Sequence, residues 1–498
     1  MFNFSRLFSN AAVSVTQTII SGLVMFFLYR YLIKHLGAEQ LGLWSVVLAS
    51  TSVARLSDMG LTGSVVKFVA RYRALNDGVQ AAGIVQTAAL SIAVVMAVLC
   101  FAVYPFLDNI LALSISPTSM PQARSILPWA VFSLWLGSVG GVFQSGLDGC
   151  QRMDIRNIIM IFGNVLFLTA AFWLVPHFGL IGLAIGQAMQ GLMLMLTSWL
   201  VLRTQLKSLP WLPYRFSRIQ FKEMFGYAVN FQINSIAMLL FDPAIKLLMS
   251  RYGGLSSAAY YEMANQLVIK LRALLMSATQ ALVPAVAELH ETAPEKVRDV
   301  YLKAYRMVFF ATIPLYAAIL IALPLVSQLW INHLENQFMI FGAILAVGWG
   351  VNTLIGPAYF VNLGTGHLKW NSISHVLMAI LNVLLGLLLG SRFGGLGVVI
   401  AAMVALVFAS WFVIIALHKQ YKIPFSLLLP SEHRLLLGLS VVCIELAVWV
   451  NSTPFFQQQT LLISGASIGF YLLVMGVVIW FHPYKNVLWV RFMNRKKI

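Results

Sequence analysis

Apolar residues fill this chain in long, almost unbroken runs separated by short polar breaks. About 20 consecutive apolar residues in a helix cross the roughly 30 Å of a bilayer's hydrocarbon. Runs of that length lie near 11–33, 40–66, 79–107, 125–147, 156–176, 178–202 and 224–250. Seven more lie near 258–287, 305–331, 338–363, 370–390, 394–417, 433–451 and 460–482. The pattern predicts fourteen transmembrane helices and no barrel, since barrel spans are about ten residues of alternating polarity.

Composition agrees with the pattern. The 498 residues are 60% hydrophobic and 10% charged, with a mean hydropathy of +0.85, whereas soluble domains carry about a quarter charged residues. The formal net charge of +17 would suggest nucleic acid in a soluble chain. Here its distribution reads as topology. With the N-terminus inside, 24 of the 33 Lys and Arg fall on the cytoplasmic side, five on the other and four within spans, as expected when basic loops stay in the cytoplasm. Both termini are therefore expected inside, in a bacterial inner membrane, with no nucleic-acid partner. The first span, preceded by Arg6, has no secretory cleavage pattern and is expected to persist as a helix. Cys100, Cys150 and Cys443 have neither paired nor metal-ligand spacing, so no disulfide, metal or other cofactor is inferred.

The chain carries an internal repeat. LGAEQLGLW from Leu36 is followed 216 positions later by YGGLSSAAY from Tyr252. FGLIGLAIGQAM from Phe178 is followed 215 positions later by FGGLGVVIAAMV from Phe393. Gly149–Asn157 matches Gly364–Asn371, each ahead of a span holding Asn164 or Asn382. A unit of about 215 residues with six spans has even parity, so its two copies share orientation about an axis along the membrane normal. The expected organisation is 1–202 as a first six-helix lobe, 203–223 as a cytoplasmic linker, 224–417 as a second lobe, and 418–498 as two further helices with a basic tail. Two parallel lobes around a central cleft form a transporter architecture.

Ionisable residues inside a bilayer are costly and mark candidate sites. Arg55 and Asp58 share a helix face, as either a structural pair or a working one. Asp242 and Lys246 are four apart in the favourable order beside Pro243, expected to kink the helix as packing or as a hinge. Glu262, Lys270 and Arg272 share the next span, the two cations pointing about 200° apart. Glu445, isolated in the thirteenth span, is expected to face a neighbouring helix or be protonated, and His375 to be an interfacial histidine. The embedded cations Arg55, Lys246, Lys270 and Arg272, with Arg251 at an outer helix end, favour an anionic group such as phosphate.

Catalytic signatures are missing: there is no Walker-type run, no GxSxG, no HExxH and no long soluble segment. The acidic stretch from Glu288 to Asp299 sits among Lys296, Arg298 and Lys303 and reads as a solvated connector. The chain is therefore expected not to be an enzyme, and to draw on a gradient or on downhill flow.

Leu36–Trp44, LSDMGL at Leu56–Leu61, Gly149–Asn157 and the run from Asp242 to Pro284 together resemble Wzx-type polysaccharide flippases. These belong to the multidrug/oligosaccharidyl-lipid/polysaccharide exporter (MOP) superfamily. The resemblance implies fourteen helices and movement of an undecaprenyl-pyrophosphate-linked oligosaccharide to the periplasmic leaflet, for O-antigen or capsule. It implies that Arg55, Lys270 and Arg272, with Lys246 and Arg251, meet the pyrophosphate. Asp58, Asp242 and Glu262 would be switches coupled to a proton or sodium ion. Asn230, Gln232, Asn234 and Asn265 are sugar-contact candidates, and a glycan polymerase and chain-length proteins are possible partners. The competing readings are a peptidoglycan-precursor flippase, a multidrug cation antiporter and a non-transporting assembly scaffold.

Overall fold

The computed structural model describes residues 4–52, 60–280, 282–453 and 460–484, with side chains at 4–12, 14, 15, 228–239, 278, 452 and 460 outside the described set. Arg55 and Asp58, and the side chains of Asn230, Gln232 and Asn234, thus lie outside the described residues. The described residues form helices and turns with no strand. In order they are α1 (Phe4–Ser52), α2 (Leu61–Ala74), α3 (Gly78–Ala112), α4 (Met120–Gly149), α5 (Met153–Gln205), α6 (Arg218–Thr279), α7 (Leu282–Thr292), α8 (Val297–Ile331), α9 (Asn336–Thr365), α10 (Lys369–Gln420), α11 (Arg434–Ser452) and α12 (Thr460–Phe481). Among the described residues ten helical stretches are long and apolar enough to cross a membrane. The protein is a multi-pass membrane protein.

Four of these helices are broken at one glycine each: α1 at Gly37 (φ 80°, ψ 170°), α5 at Gly179 (54°, −132°), α6 at Gly254 (84°, 170°) and α10 at Gly394 (62°, −146°). These dihedrals are open essentially to glycine alone, because a Cβ clashes with the adjoining carbonyl. The expected gaps between spans, several residues wide at 33–40 and 250–258, are single-residue reversals. No break falls at Pro243, through which α6 keeps helical dihedrals.

The reversals match in pairs. Gly37 and Gly254, 217 positions apart, share nearly the same dihedrals, and so do Gly179 and Gly394, 215 apart. A Cβ on Gly182 would lie 2.4 Å from the Leu174 carbonyl oxygen, and one on Gly397 would lie 2.1 Å from that of Leu389. Gly149 packs on Val66 and Val69, as Gly364 does on Val283 and Val286. The repeat read from the sequence is therefore written into backbone geometry.

The chain divides into two compact units, Met1–Glu262 with Val383–Val398, and Met263–Asn382 with Val399–Ile498. In the first, α2 to α5 enclose a core that includes Val65, Val69, Val85, Val142, Leu147 and Leu202. All four glycine reversals lie in this unit. They pack closely: the carbonyl of Leu255 occupies the space a side chain on Gly42 would need, and Gly253 approaches Gly395 backbone to backbone. In the second unit, Val286, Tyr301, Val361 and Leu417 centre one core. Ala317, Ile321, Cys443, Ala447, Tyr471 and Met475 join α8, α11 and α12 in another.

The connector from α5 to α6 is tied down in the first unit. Trp199 Nε1 donates to the Trp211 carbonyl at 3.0 Å, and the Arg203 guanidinium stacks 3.6 Å from the Trp211 ring. Gln86 Oε1 accepts from the backbone N–H groups of Tyr214 and Arg215, both at 3.3 Å. The acids Glu288, Glu291, Glu295 and Asp299 are all exposed, which agrees with a solvated connector.

Candidate functional site

The hairpin in α6 builds a charged cluster in the first unit. Lys246 and Glu262 each stand eight residues from Gly254, so a single-residue reversal brings them level, about 12 Å below the turn at 1.5 Å per residue. Lys246 Nζ lies 2.7 Å from Glu262 Oε2 and 2.8 Å from Asp242 Oδ2. The Tyr29 hydroxyl donates to Glu262 Oε1 at 3.2 Å and the Tyr261 hydroxyl to Asp242 Oδ1 at 3.3 Å. Tyr29 itself stands eight residues before Gly37, the repeat position of Lys246. Lys246 is 9% exposed and Glu262 5%, with both tyrosines at 1%, whereas the Asp242 side chain is 39% exposed. Two carboxylates thus share one ammonium. The more accessible carboxylate supplies its path to solvent.

In the second unit Arg272 rests among neutral groups. Its Nη2 donates to Asn352 Oδ1 at 2.8 Å, and its guanidinium lies 4.7 Å from the centroid of Trp349. Asn352 Nδ2 donates in turn to Ser410 Oγ at 2.8 Å, whose hydroxyl donates to the Leu406 carbonyl at 2.6 Å. Among the described residues no carboxylate lies within ion-pair reach of Arg272, and its buried Nε has no hydrogen-bond partner. Among the described residues the guanidinium is oriented while no opposite charge pairs with it, a state suited to an anion. Lys270 is half-buried and makes no hydrogen bond or ion pair among the described residues.

Arg251, back in the first unit, is exposed beside Tyr252. It lines a cavity of about 490 Å³ with Glu39, Ser114, Ser116, Ser250 and Gly254.

Several contributors escaped the sequence reading. Tyr29 and Tyr261 look like ordinary aromatic residues in apolar runs until the hairpin sets them beside acids. Asn352 and Ser410 are polar breaks in apolar spans, the one signal that marked them. Gln17, Ser21, Asn164 and Gln190 form a polar chain in the first unit: Gln17 and Asn164 donate to Ser21 at 3.0 and 2.7 Å, and Gln190 donates to Asn164 at 3.0 Å. Asn265 is buried. His375 packs against Tyr359 with ring centroids 5.6 Å apart. Among the described residues Glu445 faces no neighbouring helix; it is exposed on α11, because the packed face of that helix runs through Ser440, Cys443 and Ala447.

A family model described as polysaccharide biosynthesis protein matches residues 7–290. The chain belongs to this family. No curated protein matches it. Solved structures place the fold of this family member among MOP transporters. An inward-facing multidrug resistance MATE family transporter of the MOP superfamily superposes with a TM-score of 0.71 at 15% identity, covering 84% of this chain and 99% of its own. The lipid II flippase MurJ, in an inward closed conformation, gives 0.71 at 13%, covering 96% and 99%. A MOP superfamily transporter from Pyrococcus furiosus, noted for a binding pocket of reverse polarity, gives 0.58 at 15%, covering 83% and 95%. The family assignment agrees with the resemblance drawn from the sequence.

Proposed function

We propose that this chain is a flippase that carries an undecaprenyl-pyrophosphate-linked oligosaccharide repeat unit from the cytoplasmic to the periplasmic leaflet of a bacterial inner membrane by alternating access. It has no catalytic step and no cofactor, and it serves O-antigen or capsule assembly alongside a glycan polymerase and chain-length proteins. In this reading the fourteen apolar runs of the sequence are fourteen crossings. Two six-helix lobes, 1–202 and 224–417, are joined by 203–223, and 418–498 adds α11 and α12, with both termini cytoplasmic.

The observation that carries this reading is Arg272, oriented by Asn352 and Trp349 with no carboxylate beside it among the described residues. Arg55 precedes it by 217 positions, the offset that relates Gly37 to Gly254 and Val69 to Val286. Guanidinium and ammonium groups suit the phosphoryl groups of a pyrophosphate, and Arg272, its repeat counterpart Arg55, Lys270, Arg251 and Lys246 are the basic residues assigned to it. The Asp242–Lys246–Glu262 cluster is the coupling element: a proton or sodium ion arriving at its carboxylates weakens their hold on Lys246. Asp58 extends the same role to the first repeat.

A peptidoglycan-precursor flippase would use the same pyrophosphate chemistry and differs in the sugar it carries. A multidrug cation antiporter is disfavoured, since among the described residues a cation approaching Arg272 meets no acid. The test is leaflet distribution of lipid-linked glycan in cells lacking the chain. Inner-leaflet accumulation, relieved by the wild-type chain and not by Arg272→Gln, is the expected result. Delivery at the normal rate without the protein sinks the flippase reading, accumulation of the peptidoglycan precursor selects the alternative, and normal surface glycan with Arg272→Gln selects the scaffold.

A further inference from the structure

Glu445 occupies a place where a carboxylate is costly. Helix α11 is 19 residues long, about 28 Å at 1.5 Å per residue, close to the hydrocarbon thickness. Glu445 is eleven residues from Arg434, roughly 16 Å along the axis and near the midplane. Its short side chain cannot snorkel to the interface as lysine and arginine do.

Packing fixes which way it points. Leu436, Ser440, Cys443 and Ala447 are buried, the last two joining Ala317, Ile321, Tyr471 and Met475 of α8 and α12. Residue 445 falls two positions from both Cys443 and Ala447, hence on the opposite side of the helix. There it makes no hydrogen bond or ion pair among the described residues. It is flanked by exposed Val441, Val442, Leu446, Val448 and Trp449. Two turns earlier on the same face, Gly438 is exposed, with no heavy atom within 4 Å of the place its Cβ would take.

We propose that this face of α11 is the docking surface for a transmembrane helix of another membrane protein, one that presents a lysine or arginine at mid-bilayer. Charge complementarity selects the occupant. A cation from a partner is the group that satisfies a carboxylate in oil, and an open glycine lets the partner backbone come close. A second copy, meeting through the same face about a two-fold axis, would set Glu445 against Glu445 and gain nothing. In lipid alone the group could persist only by taking up a proton and giving up its charge.

The probe is a poly-leucine transmembrane peptide with one central lysine, compared with all-leucine and central-glutamate versions. The full chain is reconstituted in vesicles with a photo-crosslinking amino acid at Val442. The lysine peptide should crosslink about five-fold or more above the other two, the scale of an interhelical polar contact in lipid. That preference should vanish in Glu445→Gln and persist in Glu445→Asp. Gly438→Leu, which keeps the carboxylate and fills the open position, should also abolish it, so the proposal does not hang on one variant. Equal labelling by lysine and leucine peptides overturns the proposal. So does a preference that survives Glu445→Gln, or labelling dominated by a second copy of the chain.

Discussion

Lys246 and Glu262 meet at 2.7 Å because each lies eight residues from the reversal at Gly254. The contact is a consequence of where the helix turns back. Anything that changes the turn changes the charge cluster.

Gly254→Ala should lower stability by about 1–3 kcal/mol, the cost of forcing a side chain into a glycine-only backbone region. No atom lies within 4 Å of the new Cβ, so the loss is backbone strain alone. Gly22→Ala, equally open but inside a helix, should be neutral or gain about 0.5–1 kcal/mol. Thermal unfolding in detergent compares the two, and equal melting temperatures would contradict the strain argument.

Lys246→Met should be the most damaging change in the cluster, because it strands two carboxylates together. Removing one member of a buried ion pair costs about 3–5 kcal/mol. Adding Glu262→Gln to Lys246→Met should recover much of the loss. A double-mutant cycle on unfolding free energies measures this, and strictly additive losses would mean the contact is inert.

Asn352→Leu should impair transport while leaving Arg272 in place. Losing a hydrogen bond to a charged group costs about 1.5–3 kcal/mol, roughly ten- to a hundred-fold if that orientation is used on the substrate. Asn352→Gln should be milder. Initial rates of lipid-linked glycan translocation in vesicles provide the measurement; a rate unchanged in Asn352→Leu would remove Arg272's orientation from the account.

Gln86→Leu should loosen the connector ahead of α6. The Tyr214 and Arg215 N–H groups that Gln86 holds would lose their acceptor, at about 0.5–1.5 kcal/mol per hydrogen bond because both residues are exposed. Trypsin should then cut sooner after Arg215 or Arg218, and an unchanged cleavage rate would show that the tether carries no weight.

The helical class and its long apolar stretches were legible in the sequence, because the bilayer imposes length and composition together, and so was the offset of about 215 residues shared by the paired glycine reversals. The Asp242–Lys246 pair was legible as well, since four-residue spacing on a helix is local. Glu262 joined them through a reversal whose position could be read from glycine spacing only to within a few residues. Partners brought by tertiary folding, Tyr29 on Glu262 and Asn352 on Arg272, left no local trace beyond a polar atom in an apolar run. Glu445 was expected against a neighbour or protonated, and its direction was not legible because hydropathy reports depth alone. The side that packs was decided by Cys443, Ala447 and the helices they meet.

Joining two long rods through one residue also limits how they move. Where α1, α5, α6 and α10 reverse at a lone glycine, neither arm has slack with which to slide past the other. Each hairpin can open only like a pair of compasses, its legs parting at the far end while the pivot stays put. Small rotations near Gly37, Gly179, Gly254 and Gly394 become large excursions tens of ångströms away.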